Sequence, residues 1–358
     1  MKKINLDNNG YESNTIMFED LLDSINFEFD FKSLMNKSFI VFGGSGFLGS
    51  QLCKALLLIN DKYDLNVKIT CVYQNKGHLE QSLYKWLQHP NLFVENYNIS
   101  DKASFPQLDC NYIIHSASIA NPIAYKNNEE KIIESNIDGT INIINNLDSD
   151  NLEKYLYISS GEIYGNLNAS HIDESLYGSI NPKNSRSIYP LSKKLAEAYT
   201  ILKSELYKLN LNIVRPFHIY GPGMNLNDGK IHSDLISSII NKKNVELFSN
   251  GQSIRNFCYI SDATRAILTV LFLGQSGEIY NIASPNESIK VIDLCKNIIK
   301  NQKENLEVTI NNQSPHEQSP ILSNIPSSER LQSLGWEPRI GLYDGFDRSI
   351  NYFRQEAK

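Results

Sequence analysis

Residues 39–50 read FIVFGGSGFLGS and run on into QLCKALLL: an apolar strand-like run, four glycines within seven residues, then an apolar helical stretch. That order demands a strand, a tight turn and a helix, because only glycine adopts positive φ freely and leaves no Cβ between the turn and its neighbours. The N–H groups of such a turn, at the positive end of a helix dipole, make a seat for a pyrophosphate. Two glycine registers fit. Gly44, Gly46 and Gly49 spell G-x-G-x-x-G, while Gly43, Gly46 and Gly49 spell G-x-x-G-x-x-G, and nothing within the stretch chooses between them.

Downstream, apolar runs alternate with helical segments: VKITCVY, a helix near Leu79 to Leu87, LFVENYN, YIIHSAS, a helix from Asn136 to Leu147, YLYISS, a helix from about Ile188 to Leu209, and LNIVRPF. Such alternation predicts βαβ units. The expected fold class is α/β, a doubly wound parallel sheet with a smaller, interleaved C-terminal lobe. Residues 1–36 are expected to be an extension with one short helix, marked by Phe18, Leu21, Leu22 and Ile25 and packed on the sheet edge rather than serving as a lid or dimer contact. Residues 37–220 would form the dinucleotide-binding domain and 221–358 mainly a substrate lobe, with about 256–284 (through GEIYNIAS) returning to the sheet.

Composition narrows the partners. With 358 residues, 41% of them hydrophobic, a large core is available, and a net charge of -6 with pI near 5.7 argues against nucleic-acid and anionic-membrane partners. The five cysteines (Cys53, Cys71, Cys110, Cys258, Cys295) are scattered, with no C-x-x-C pair, so a metal site is not expected and reduced thiols of a cytoplasmic protein are. MKKINLDNNGYESN has no apolar run behind its lysines, and no stretch approaches a membrane span.

The chemistry-bearing residues lie further on. In SRSIYPLSKK, Tyr189 and Lys193 are four apart on one helix and share a face, an arrangement in which an ammonium would favour the phenolate. SSGEIYG sets Ser159, Ser160 and Glu162 just past a buried strand, at the edge where α/β ligand sites form. The end of the second strand is unusual. Where an acidic residue would hold a ribose, VYQNK has Tyr73, Gln74, Asn75 and Lys76, and Lys76 would suit a 2′-phosphate.

With GGSGFLG, NISD at 98–101, DCNYIIHSAS, SNIDGT, SSGEIYG, YPLSK, RPFHIYGPG, RNFCYISD, GEIYNIAS and LGWEP in this order, the chain from about 38 to 353 resembles the extended short-chain dehydrogenase/reductases. These are the NAD-dependent epimerase/dehydratase family acting on nucleotide sugars, built on a Rossmann sheet. The resemblance implies that NAD, with NADP left open, is held by Gly43, Gly46, Phe47, Leu48, Gly49, Asn75, Asn98, Ile99, Ser116, Ala117, Ser118, Tyr189 and Lys193. It implies catalysis by Ser160, Glu162, Tyr189 and Lys193, a nucleotide-sugar substrate contacted by Arg186, His218 and Arg255, and a homodimer. For His218, a core histidine is the competing reading.

The family oxidises the sugar at C4, and residue 162 bears on the chemistry after that oxidation. A carboxylate there suggests chemistry at C5 or C6, while Gly161 replaces the aspartate that dehydratases of dTDP-glucose carry. The segment 178–193 is similar to the UDP-glucuronate decarboxylase pattern G-x-x-N-P-x-x-x-R-x-x-Y-x-x-x-K, in which Arg186 would approach a sugar carboxylate; the competing expectation pairs it with Glu174 or Asp173 in a surface loop. Decarboxylation leads, with 4,6-dehydration, 4-epimerisation, a net dehydrogenase or ketoreductase, and a non-catalytic binding protein as alternatives.

Overall fold

The computed structural model describes residues 14–125, 128–167, 169, 171–311, 323 and 325–356. Its strands are β1 (Ser38–Phe42), β2 (Lys68–Tyr73), β3 (Leu92–Asn96), β4 (Tyr112–His115), β5 (Lys154–Ile158), β6 (Leu211–Pro216), β7 (His218–Tyr220), β8 (Val245–Leu247), β9 (Ile254–Tyr259), β10 (Ile279–Ile282), β11 (Ser288–Lys290) and β12 (Val308–Ile310). Seven of them form one sheet in the order β3-β2-β1-β4-β5-β6-β10, every pair parallel. The central strands are near-continuous apolar runs because helices cover both faces; all five residues of β5 are buried. Strand order reverses between β1 and β4, which opens a crevice beyond their carboxyl ends, beside the glycine turn.

Three helices do most of the covering. Phe47–Tyr63, straight after the glycines, is buried at every position from Gly49 to Asn60. Ile260–Leu273 is buried from Ile260 to Leu271 and leads into β10. Ile188–Tyr207 is inverted in polarity: Tyr189, Ser192, Lys193, Glu197 and Thr200 face inward, while Leu195, Leu202 and Leu206 are exposed. The polar face is held by Arg215 of β6, whose guanidinium donates to both Glu197 oxygens at 2.8 and 2.9 Å and to the Tyr164 hydroxyl at 2.8 Å. A bidentate pair of this kind fixes the helix in rotation as well as position.

The C-terminal lobe is built on the sheet β11-β9-β7, the parallel pair β12-β8 and the helices Ile231–Ile240, Val291–Asn301 and Leu342–Glu356 around Leu235, Ile239, Phe257, Leu294 and Phe346.

The N-terminal helix differs from expectation in where it packs. Thr15–Ser24, capped by Asn14 through the Ile16 N–H at 3.0 Å, lies against the helices Ile260–Leu273 and Phe47–Tyr63 rather than on the sheet edge. Met17, Leu21 and Ile25 face the core, with Phe18 and Leu22 half-buried. Its acidic side explains the choice. Asp20 accepts from the Tyr259 hydroxyl at 2.6 Å and from Arg348 at 2.7 Å, and Asp23 from Arg265 at 2.5 Å and Arg339 at 2.7 Å. Three arginines from distant parts of the chain thus meet on one helical turn.

Among the described residues, all five cysteines are buried and free, no group of three or more His, Cys, Asp or Glu could hold a metal, and no helix is long and apolar enough to cross a membrane.

Candidate active site

The glycine turn satisfies the steric demand of a dinucleotide seat. Gly43 has φ +73°, and a Cβ there would stand 2.7 Å from the Ala117 Cα; a Cβ on Gly49 would stand 2.1 Å from the Gly43 carbonyl oxygen. Gly46 is the N-cap and supplies no side-chain acceptor, so the first-turn N–H groups around Phe47, Leu48 and Gly49 remain available to a ligand. Gly44 is restricted differently, by the side chain of Cys71. The 43, 46, 49 register therefore carries the backbone constraint. These residues fit NAD.

The other expected cofactor residues fall at the carboxyl ends of neighbouring strands. Beyond β4, Ser116 donates to the Phe42 carbonyl at 2.8 Å, the Ala117 backbone backs onto Gly43, and Ser118 donates to Asn136 Oδ1 at 2.7 Å. Ile99 is buried against Gly139, and Asn98 is exposed, with its side chain accepting from Ser100. Asn75 is exposed and caps the helix Lys76–Leu83 through the His78 N–H at 3.0 Å, while Lys76 sits 3.6 Å from Glu80 across one helical turn.

Ser160, Tyr189 and Lys193 come together beyond β5. The Ser160 hydroxyl caps the short turn Gly161–Tyr164 by accepting from the Glu162 N–H at 3.1 Å, and it hydrogen-bonds the Tyr189 phenol. The expectation that Lys193 pulls the phenol toward ionisation is not met. Burial, and then the Glu162 carboxylate, push the Tyr189 pKa up, with Ser160 and Arg186 opposing. The Lys193 ammonium instead donates to the Ile158 carbonyl at 2.8 Å and lies 4.9 Å from the Tyr157 ring centre; burial pushes its pKa down to about 7, with Glu197 opposing. Burial holds charge back on both groups: it brings Lys193 near neutral pH, where it can pass a proton, and keeps the Tyr189 phenol protonated in the free protein.

Glu162 and Arg186 give the main correction. Arg186 does not pair with Glu174 or Asp173 in a surface loop. It is buried, and its Nη2 donates to Glu162 Oε1 at 2.8 Å. Glu174 accepts from the Asn281 N–H at 2.8 Å, and Asp173 turns back on Ser175. The Glu162–Arg186 pair lines a cavity of about 160 Å³ with Gly165, Asn166, Ser179, Ile180, Asn181, Asn184, Ser187 and Pro190. Arg255 is also buried, with its pKa pushed down to about 10 by burial and by Arg186, against the pull of Glu162. His218 packs beside it, its Nδ1 3.2 Å from the Asn256 carbonyl, and burial followed by Arg255 keeps it neutral. At Gly161 an added Cβ would stand 2.7 Å from the Phe217 ring, so an aspartate there would displace that ring.

Two residues escaped sequence reasoning. Asn136, fully buried in the wide helical turn Glu134–Asp138, donates to Ser192 Oγ at 2.9 Å, and Ser192 donates to the Tyr189 carbonyl at 2.9 Å. Together with Ser118 this chain ties the end of β4 to the start of the Tyr189 helix. The signal was present in SNIDGT and YPLSK: an Asn between the apolar residues Ile133 and Ile137 of a helical stretch, and a Ser three residues after the tyrosine.

A glycine turn at the head of a helix and a Ser-Tyr-Lys set beyond the neighbouring strands are the layout of a dinucleotide-dependent redox enzyme. The chain belongs to the NAD dependent epimerase/dehydratase family, whose model matches residues 39–283. It is 30% identical over 321 residues to UDP-glucuronic acid decarboxylase 6 of Arabidopsis thaliana, covering 89% of each chain. UDP-glucuronic acid 4-epimerase from Bacillus cereus, in complex with UDP-glucuronic acid and NAD, shares the fold with a TM-score of 0.75 at 20% identity, over 89% of this chain and 99% of that one. The dTDP-glucose 4,6-dehydratase from Bacillus anthracis, in complex with NAD, does so with a TM-score of 0.72 at 19% identity, over 89% and 97%.

Proposed function

We propose that this protein oxidises C4 of a UDP-sugar bearing a carboxylate on C5 and then releases that carboxylate as CO₂. The observation that carries the reading is the buried Arg186 beside Glu162 and Tyr189, a guanidinium fork where the C5 substituent of a C4-reacting sugar would lie. The relatives named UDP-glucuronic acid decarboxylases support it. NAD, when bound, supplies the acceptor for the C4 hydride and later its donor. Tyr189, with Ser160 hydrogen-bonded to it and Lys193 one helical turn on, would take the C4 hydroxyl proton as its phenolate, a form that the positive charge of NAD, when bound, would favour against the burial and the Glu162 carboxylate that raise the phenol in the free protein. The resulting 4-ketone is β to the carboxylate. The C5–carboxylate bond breaks, its electron pair moves toward the ketone oxygen, and Ser160 and Tyr189 hydrogen-bond the oxygen that gains charge. Glu162, after taking up a proton from solvent, would deliver it to C5.

Incubation with NAD and UDP-glucuronate, followed by mass spectrometry, tests the reading. Release of CO₂ with a UDP-pentose or UDP-4-keto-pentose is the expected result. An unchanged mass with inversion at C4 would identify an epimerase, and turnover only of a neutral hexose, with loss of water, would overturn the proposal. The Phe217 ring against Gly161 weighs against the dTDP-glucose type of dehydration. Tyr189→Phe should abolish turnover and keep nucleotide binding, which separates an enzyme from a binding protein.

The exposed leucines 195, 202 and 206 on one helical face support a homodimer through this helix. Replacing Leu202 and Leu206 by Glu should give a monomer in analytical ultracentrifugation if that face is the interface.

A further inference from the structure

The residue read as proton carrier and the residue read as carboxylate ligand are bonded to each other. Arg186 Nη2 and Glu162 Oε1 are 2.8 Å apart, the arginine side chain 9% and the glutamate 29% exposed. Both border the same cavity, and both act electrostatically on Tyr189 and Arg255. Glu162 thus lies in the field of two buried guanidiniums, bonded to Arg186 and attracted by Arg255. His218, which feels Arg255, and its neighbour His232 are kept neutral by burial, so neither adds charge to this set.

We infer that Glu162 occupies Arg186 in place of the substrate's carboxylate, and that the substrate binds by exchange: its carboxylate takes Arg186 and releases Glu162 for proton transfer. The inference rests on the carboxylate-bearing substrate proposed above. Exchange leaves Arg186 paired throughout, which avoids the large cost of stranding a buried charge. The released glutamate, the more exposed partner, stays in the attractive field of Arg255. A sugar with a neutral hydroxymethyl group offers Arg186 only an uncharged acceptor, too weak to replace a carboxylate, so the pair stays closed and Glu162 stays engaged. One ion pair thus links recognition of the C5 substituent to release of the catalytic carboxylate, and selects acidic sugars over neutral ones.

Binding measured without turnover tests this. In a Tyr189→Phe background loaded with NAD, the affinities for UDP-glucuronate and UDP-glucose are compared by calorimetry, with and without Glu162→Gln. Removing the internal competitor should raise the preference for UDP-glucuronate by about tenfold, the scale of one charge-assisted hydrogen bond, while UDP-glucose affinity hardly moves. Glu162→Asp, one methylene shorter, should shift the ratio the same way by less, and it serves if the glutamine variant does not fold. Arg186→Gln should abolish the preference. A ratio that Glu162→Gln leaves unchanged or lowers would overturn the exchange. The outcome is separable from that of the decarboxylase reading: CO₂ release with an unmoved ratio would sink the exchange alone, and a tenfold shift without CO₂ release would sink decarboxylation alone.

Discussion

Replacing the loop glycines one at a time by alanine should separate the two registers. At Gly43 two penalties add. The residue holds φ +73°, which costs a side-chain-bearing residue about 1–2 kcal/mol, and the new methyl would stand 2.7 Å from the Ala117 Cα and 2.8 Å from its nitrogen, an overpacking of about 1–3 kcal/mol against backbone that cannot rotate away. The sum, about 2–5 kcal/mol, is a large part of a typical domain's stability. Gly49→Ala gains about 1 kcal/mol of helix propensity but sets a methyl 2.1 Å from the Gly43 carbonyl oxygen, so it too should destabilise and should weaken NAD binding by moving the turn. Gly44→Ala meets chiefly the Cys71 sulfur, at 2.5 Å, with the Val41 oxygen at 3.1 Å and the Cys71 Cα at 3.2 Å. In a Cys71→Ala background the sulfur is gone, and the cost of Gly44→Ala should fall by about 1 kcal/mol or more, whereas the cost of Gly43→Ala should stay within about 0.5 kcal/mol. Urea unfolding of the single and double variants, with NAD titrations alongside, reads both quantities. If Cys71→Ala relieves Gly43→Ala, or if Gly44→Ala costs as much as Gly43→Ala in both backgrounds, the assignment of the backbone constraint to Gly43 and Gly49 is wrong.

The buried charges carry further expectations. The unfolded chain keeps a proton on Lys193 up to about its ordinary 10.5 while the folded chain releases it near 7, so the unfolded state binds more protons in between and stability without ligand should rise with pH across that window; Lys193→Met should flatten the rise in urea melts. Asp20 behaves oppositely: burial lifts its pKa from 3.8 to about 6, so the folded state binds the extra proton there and stability should fall as pH rises through that range, a slope that Asp20→Asn removes. Asp23→Ala would leave Arg265 and Arg339 without their shared carboxylate and should cost about 2 kcal/mol in chemical unfolding, Arg265 keeping Asp262 and Asp23 being partly exposed. Ser192→Ala should reduce kcat more than NAD affinity, because it cuts the link from Asn136 to the Tyr189 helix without touching the glycine turn.

Local pattern and tertiary placement were not equally readable in the sequence. The strands and the Tyr189–Lys193 face followed from periodicity, because each depends on residues within about twenty positions of one another, and the seven-stranded parallel sheet bears out the doubly wound α/β fold. The seat of the N-terminal helix did not follow. Its apolar stripe would suit a sheet edge or a helical layer equally, and what decides is Asp20 and Asp23 meeting Arg265, Arg339 and Arg348, more than 240 positions away. The ionisation of Tyr189 was misread for a similar reason. Spacing puts Lys193 on the correct face, but the Ile158 carbonyl captures the ammonium, and burial with Glu162 governs the phenol. Glu162 and Arg186 were each singled out for separate duties, and their separation of 24 positions along the sequence hid that they are partners. That pairing alters what either residue means. An arginine free to bind a carboxylate would attract any acidic ligand, whereas one whose Nη2 already holds a carboxylate at 2.8 Å favours a ligand that can replace it, so under the proposed exchange discrimination would reside in a bond that is broken as well as one that is made.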